Sequence, residues 1–369
     1  MRVAYVHDWL VTYRGGERVL EALLELYPDA PVYTLFYDPR AMPASIRSRD
    51  VRYSSWLNAW RPLRKLLLPL LPAAIEAFPL EDYDLILSTS SCVAKGVMVG
   101  PQTKHLCYIH SPMRYIWDQR QHYLVTSRSF TLKESLLHIL SSRLRLWDTV
   151  VNQRVDRFVA NSSFVKDRVK RFYGRDATVI HPPVDVERFG KISASKKGAP
   201  YFLAAGAFVN YKRFDLAIAA CEKLGRRLIV AGSGPEEKRL KALGGKYTEF
   251  VVKPSEQKWV ELFQNAEAFI FPGVEDFGIT AIESLAAGTP LIALRAGGAL
   301  DFVREGETGM FFDEPTVASL IGTIEKFSAS PATALLDRQK LIDFAHLFQK
   351  KYFLEKIERE IKNLWGDDA

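Results

Sequence analysis

The sequence predicts an α/β fold made of two Rossmann-like, doubly wound parallel-sheet domains facing each other across a cleft. Three observations carry this. Short apolar runs alternate with helix-like segments along the chain, the pattern of parallel strands buried on both faces. At 369 residues the chain exceeds one compact core and suits two. Between two sets of such runs lies PPVDVERFGKISASKKGAP (182–200), whose Pro, Gly, Ser and Lys content reads as a linker.

Taken in order, the strands expected in the first half are VAYVH (3–7), PVYTLF (31–36), LILSTS (85–90), HLCYIH (105–110), RFVANS (157–162) and ATVIH (177–181). Those of the second half are YFLAAG (201–206), RLIVAG (227–232), EFVV (249–252), AFIFPG (268–273) and PLIALR (290–295). Each is short, apolar and rich in β-branched or aromatic residues, and turn or helix signals bound it. The last segment, from about Phe344 to Trp365, reads as a charged amphipathic helix.

Bulk properties narrow the class. With 48% hydrophobic and 25% charged residues, the composition is that of a globular protein. Three scattered cysteines, Cys92, Cys107 and Cys221, argue against a disulfide framework and for a reducing compartment. MRVAYVHDWL reaches Asp8 too early for a signal-peptide core and reads as a first strand. No run of about 18 uncharged apolar residues occurs, so no membrane span is expected. The charge is uneven: residues 1–190 hold 26 Lys and Arg against 19 Asp and Glu, while the remainder balances at 24 each. A basic first half suggests an anionic partner, and no nucleic-acid motif accompanies it.

In doubly wound sheets ligands sit beyond the carboxyl ends of the strands, so the junctions there carry the chemistry. In VHDWLVTYRGGERV, Gly15 and Gly16 let backbone amides approach an anion at a helix start; a glycine-eased turn capped by Glu17 explains the same residues. No third glycine follows at the dinucleotide spacing. In AAGAFVNYKRFDL, a strand ends at Gly206, and Lys212 with Arg213 precedes a helix. Such a cationic pair suits a diphosphate, although a solvated helix start would look alike. In PGVEDFGITAIESLAAGTP (272–290), the amides of Phe277, Gly278, Ile279 and Thr280 open a helix. Glu275 lies before that helix and Glu283 about two turns inside it. Carboxylates accept hydrogen bonds from vicinal hydroxyls, so two acids around an anion site fit a nucleotide sugar.

EDFGITAIE closely resembles the E-x7-E motif of family 4 retaining glycosyltransferases, which have the GT-B fold. The Gly-Gly-Glu loop, YIHSPMRYIWD, NSSFVKDRV, VIHPPVDVERF, GAFVNYKRFDL and AAGTPLIALRAGGALDFV follow in the family's order over nearly the whole chain. The resemblance implies a metal-independent enzyme without cofactor that moves a sugar from a nucleoside-diphosphate donor with retained configuration. It implies that Glu283 binds the ribose, Glu275 the donor sugar and Lys212 the diphosphate, with Arg213 helping. Gly15 and Gly16 would line the phosphate and acceptor side, and His110 would lie near the donor sugar. By their place at the end of the first strand, Asp8 and Trp9 are candidates for acceptor recognition, and Asp8 reads equally as a turn cap. It also implies an acceptor-side domain at 1–185, a donor-binding domain at 186–343 and a crossover helix, 344–369, returning to the first. One departure stands out: many members carry Arg after the strand-ending glycine, where this chain has Ala207. Within the family the chain most resembles mannosyltransferases of surface-polysaccharide or O-antigen assembly. That implies GDP-mannose as donor and a polyprenyl-diphosphate-linked glycan as acceptor, handled peripherally at the cytoplasmic face of the inner membrane. A UDP-sugar donor and a non-catalytic sugar-nucleotide-binding role are the alternatives.

Other matches fail on context. Asp82-Tyr83-Asp84 has the D-x-D form of metal-dependent transferases but precedes its strand, and the histidines show no zinc spacing. Asp276-Phe277-Gly278 spells a kinase triplet without the accompanying loops. The segment WLNAWRPLRKLLLPLLPAAIEAF (56–78) joins Trp56 and Trp60 to Arg61, Arg64 and Lys65 beside a proline-broken leucine run. It reads either as a membrane-interface segment with cations at anionic headgroups, or as a buried helix pair with a basic edge.

Overall fold

The computed structural model describes residues 1–64, 66–114, 116–117, 132–190, 198–329 and 337–366. Lys65, residues 191–197 of the expected linker and residues 367–369 lie outside the described residues. The chain divides into two units, one of Met1–His181 with Phe353–Ala369 and one of Pro182–Tyr352.

The first unit is a parallel sheet in the order β3-β2-β1-β4-β5-β6-β7. Its strands are β1 Val3–His7, β2 Val32–Thr34, β3 Val51–Tyr53, β4 Leu85–Ser90, β5 Lys104–Ile109, β6 Arg157–Ala160 and β7 Ala177–Val179. The strand alternation feeds two cores: Val3 and Tyr5 of β1 enter one, Ala4 and Val6 the other. The helix Lys350–Lys362 closes this unit, burying Phe353, Ile357 and Ile361 at four-residue steps. Glu360 of that helix accepts from Arg157 of β6 at 2.9 Å and from Thr178 of β7 at 3.1 Å.

The second unit repeats the plan, in the order β10-β9-β8-β11-β12-β13. Its strands are β8 Phe202–Ala207, β9 Leu228–Ser233, β10 Thr248–Val252, β11 Ala268–Phe271, β12 Leu291–Leu294 and β13 Gly309–Phe312. Both orders reverse direction once, at β1/β4 and at β8/β11, and those are the switch points where such sheets open a crevice.

Three differences from the sequence reading have local causes. β3 is a half-exposed edge strand, VRY, with a charge at its centre, so no apolar run marks it. β13, GMFF, is too short an apolar run between charged neighbours to stand out. The single helix expected from Phe344 is two, Arg338–His346 and Lys350–Lys362. The first buries Leu341 and Ala345 in the second unit's core, the second serves the first unit, and the chain breaks between them to change partner. All three cysteines are free and buried. Among the described residues no helix is long and apolar enough to cross a membrane.

Candidate functional site

The second unit gathers its candidates at the β8/β11 switch point. β8 ends on Gly206, whose φ of +138° lies outside the ordinary range of a side-chain-bearing residue, and a Cβ there would sit 3.0 Å from Lys212 Nζ. The missing side chain lets the lysine fold back over the strand end from the 3-10 turn Asn210–Lys212. Its Nζ meets Glu275 Oε1 at 2.5 Å, with both side chains largely shielded from solvent. Two residues expected to serve a diphosphate and a sugar are thus already in contact, charge against charge.

Glu275 belongs to the loop between β11 and the helix Ile279–Ala286, and that loop is held from two sides. Gly298 N–H donates to the Glu275 carbonyl at 2.9 Å, and a Cβ on Gly298 would strike the Phe277 carbonyl at 2.4 Å. The Phe277 ring is buried against Phe302 and Phe348, at centroid distances of 5.6 and 5.8 Å. Phe277 therefore offers the site its backbone and not its ring. Gly278 is the N-cap of the helix, Ile279 packs partly against the core, and the Thr280 hydroxyl is buried without a hydrogen-bond partner among the described residues. An open helix N-terminus with a spare hydroxyl beside an ammonium group is chemically a phosphate or sugar-oxygen site.

Glu283 lies just over one turn into this helix rather than two, because the helix begins at Ile279. Its carboxylate is buried and held by two donors: Arg188 Nη2 at 3.1 Å from Oε1, and Trp259 Nε1 at 3.0 Å from Oε2. The sequence reading singled out neither donor. Arg188 falls within the segment read as a linker, and no motif marks Trp259. Arg213 differs from expectation in another way. It adopts a left-handed backbone at φ +51°, and its guanidinium is engaged by Asp215 at 3.2 Å, not by Glu275. Ala207, at the end of β8, carries no charge that could take its place.

In the first unit, the ends of β1, β4 and β5 converge on the helix Gly15–Leu23. That helix starts at the two glycines, and Arg14 N–H donates to Glu17 Oε2 at 2.9 Å, so the capping role read for Glu17 is present. A Cβ on Gly16 would lie 3.5 Å from His110 Nε2 and 3.8 Å from His7 Cε1, which places both imidazoles against the glycine turn. The His110 carbonyl accepts from Asn161 Nδ2 at 3.0 Å. His7, absent from the expected set, is buried with Nδ1 at 2.5 Å from Thr89 Oγ1, and burial pulls its pKa down to about 4. Burial also raises the Glu17 carboxyl above its ordinary range.

Asp8 takes the second of its two readings, the turn cap. It is buried, and its two oxygens accept from the backbone amides of Ser91, Cys92, Val93 and Ala94 at 2.6 to 2.9 Å, and from the Ser91 hydroxyl at 3.1 Å. It caps the turn after β4 and has no exposed face for an acceptor. Trp9, its neighbour, packs partly against the core.

The segment 56–78 splits between its two readings. Leu57, Leu71, Ala74 and Ile75 are core residues. Trp56, Trp60, Leu63, Leu66 and Leu70 stay exposed, Leu66 at 75%. Arg61 is not a free cation: it donates to the Tyr37 carbonyl at 2.8 Å and pairs with Asp38 at 3.0 Å. Arg64 is half-buried. The helix Leu132–Val150 adds exposed Ile139, Leu146 and Val150, and Trp147 of that helix bonds Glu76 of the helix Leu71–Glu76 at 2.9 Å. Among the described residues no group of three or more His, Cys, Asp or Glu is arranged to hold a metal ion.

Comparison with known proteins bears on both units. Residues 13–188 match the family model Glycosyltransferase Family 4, and residues 185–346 match Glycosyl transferases group 1. The chain is 27% identical over 210 residues to the glycogen synthase of Mycobacterium tuberculosis, covering 53% of this chain and 51% of that one. This match therefore spans about half of the relative's length. Human alpha-1,3/1,6-mannosyltransferase ALG2 is 25% identical over 404 residues, covering 95% of this chain and 93% of its own. The crystal structure of Anabaena HepE in complex with UDP-glucose matches with a TM-score of 0.67 at 15% identity, covering 98% of this chain and 100% of that one. The fold is that of the GT-B glycosyltransferases.

Proposed function

We propose that this chain, whose first unit carries a family 4 glycosyltransferase domain and whose second carries a group 1 domain, transfers a hexose from a nucleoside-diphosphate sugar to a glycan acceptor with retention of configuration. The observation that carries this reading is the contact of Lys212 with Glu275 beside the open N-terminus of the helix Ile279–Ala286. When a glycosidic bond to a diphosphate breaks, negative charge grows on the leaving group. A shielded ammonium and the helix amides stabilise that charge without reorganising. In this reading Lys212 faces the diphosphate, Glu275 accepts from donor-sugar hydroxyls, Glu283 accepts from the ribose, and His110 lies along the sugar. Lys212 supplies the countercharge, so no step calls on a metal ion. Arg213, more exposed to solvent than Lys212 and paired with Asp215 rather than with Glu275, has the lesser part.

GDP-mannose is the proposed donor. The match to a protein named as a mannosyltransferase, over 95% of this chain, supports it. A UDP-sugar is the second reading, since HepE, of the same fold, is described in complex with UDP-glucose. The proposed acceptor is a polyprenyl-diphosphate-linked saccharide of surface-polysaccharide assembly, met at an anionic membrane face through the exposed Trp56 and Trp60 surface.

A thermal-shift panel of GDP, UDP, ADP, GDP-mannose and UDP-sugars, in chelator, tests this. Selective stabilisation by GDP and GDP-mannose is expected. A UDP preference would overturn the mannose assignment, and no response to any nucleotide would overturn the transferase reading.

A further inference from the structure

We propose that Arg188 and Trp259 are positioning residues for Glu283, fixing its carboxylate to receive the two vicinal hydroxyls of a donor ribose. This rests on the reading of Glu283 as the ribose ligand given above.

The two donors reach the carboxylate from different elements. Arg188 lies on the 3-10 turn Glu187–Phe189, and Trp259 on the helix Glu256–Asn265. Each takes one oxygen, at 3.1 and 3.0 Å, so together they fix both the place and the plane of the group. Each donor is itself anchored. The Arg188 guanidinium lies 5.2 Å from the Phe189 ring, and its other terminal nitrogen meets Glu256 at 3.2 Å. The Trp259 ring packs on Phe263 at 5.2 Å.

A glutamate has three rotatable bonds, and one left to wander must be ordered when the ligand arrives. Here that ordering is built into the fold by the two donors. Arginine stays charged at every working pH, so Arg188 faces the Glu283 carboxylate as a permanent cation. A carboxylate offers about four lone-pair directions, so an oxygen that takes one donor has the geometry to take a second. The indole N–H can only donate, so it cannot itself accept the ribose hydroxyl protons that the carboxylate would receive.

A purely structural role, stapling the turn to the helices, would make the same contacts. The two roles part on discrimination between ribose and deoxyribose. The experiment is calorimetric titration of the full chain with GDP and 2′-deoxy-GDP, and with UDP and 2′-deoxy-UDP. It is run on the wild type, Trp259→Phe, Arg188→Ala, Arg188→Lys and Glu283→Ala, with the melting temperature of each recorded. Trp259→Phe keeps an aromatic ring against Phe263 and removes the donor together with part of the indole. Arg188→Lys keeps the charge without the fork, so these two are the conservative variants of the set and their melting temperatures show whether the fold holds.

The expected result is a wild-type preference for the ribonucleotide of about tenfold, a difference of about 1.4 kcal/mol. Glu283→Ala abolishes it. Trp259→Phe and Arg188→Ala cut it at least threefold at an unchanged or slightly lower melting temperature, and Arg188→Lys recovers part of it. Should Glu283→Ala lose the preference while Trp259→Phe and Arg188→Ala keep it in full, the positioning role is overturned and the ribose reading stands. A preference that survives in Glu283→Ala, or that the wild type lacks with both bases, removes the ribose reading and this proposal with it.

Discussion

Lys212 and Glu275 stand 63 residues apart in sequence and 2.5 Å apart in space, and their contact joins the two loops that leave β8 and β11. A pair shielded this well is asymmetric in its energetics: losing one partner strands the other charge, whereas losing both is close to neutral. Lys212→Met should therefore cost roughly 2 kcal/mol of stability, and the double variant with Glu275→Gln should recover most of it. Turnover should fall by more than tenfold in both, about 1.4 kcal/mol of transition-state stabilisation. Urea melts beside initial rates separate the two effects. A double variant no more stable than the single one would mean that the ion pair does not link these loops energetically.

Asp8 makes a contrasting prediction. Four amides and a hydroxyl depend on it, so Asp8→Ala leaves several buried donors without partners. The loss should be at least about 3 kcal/mol, read as a lower urea midpoint. KM for the acceptor, measured well below the melting temperature, should stay at its wild-type value. A raised acceptor KM at unchanged stability would restore the recognition role that the buried geometry removes.

Stability should also respond to mild acid through two histidines. Burial lowers both His7 and His105 to about 4, against an ordinary value of 6.5. The unfolded chain then binds more protons than the folded one between these values. Each group's contribution, on the order of 3 kcal/mol, is complete above pH 6.5 and is lost as the pH falls towards 4. Melting temperatures from pH 7 to 4 should drop, and less steeply in His105→Gln if that variant folds. A flat profile over this window would contradict the neutral buried state of both rings.

The sequence made some of this legible and hid the rest for physical reasons. Most strands are continuous apolar runs, so their period and bounds stand out, whereas β3 and β13 are too short or too charged to do so. Lys212, Glu275 and Glu283 could be picked out because glycine-bearing strand ends and a helix start surround them. What these side chains bind to could not be read, because Arg188 and Trp259 reach Glu283 from distant segments. Asp8 carries two readings in the sequence because a polar residue at a strand end looks the same whether it faces a ligand or caps a neighbouring turn. The tryptophans at 56 and 60 were ambiguous for a related reason: amphipathic periodicity shows that one face is apolar, not what covers it.

That exposed face carries the last prediction. Trp56, Trp60, Leu63, Leu66 and Leu70 leave apolar surface in water on the half of the chain that holds the whole charge excess. Apolar insertion and basic residues near anionic headgroups each add to membrane affinity, the latter by about 1 kcal/mol per cation near the surface. Arg61 contributes little, because Asp38 already neutralises it. The protein should therefore sediment with vesicles containing anionic lipid at low salt and much less with neutral ones. Raising the salt should weaken binding as the screening length shrinks to about 10 Å at 0.1 M. Trp60→Ser and Leu66→Ser should reduce sedimentation severalfold, and the melting temperature should hold because both side chains are more than half exposed, at 59% and 75%. Equal binding to neutral and anionic vesicles would leave the apolar term and remove the electrostatic one. No sedimentation at low salt would mean that this face meets something other than a lipid surface.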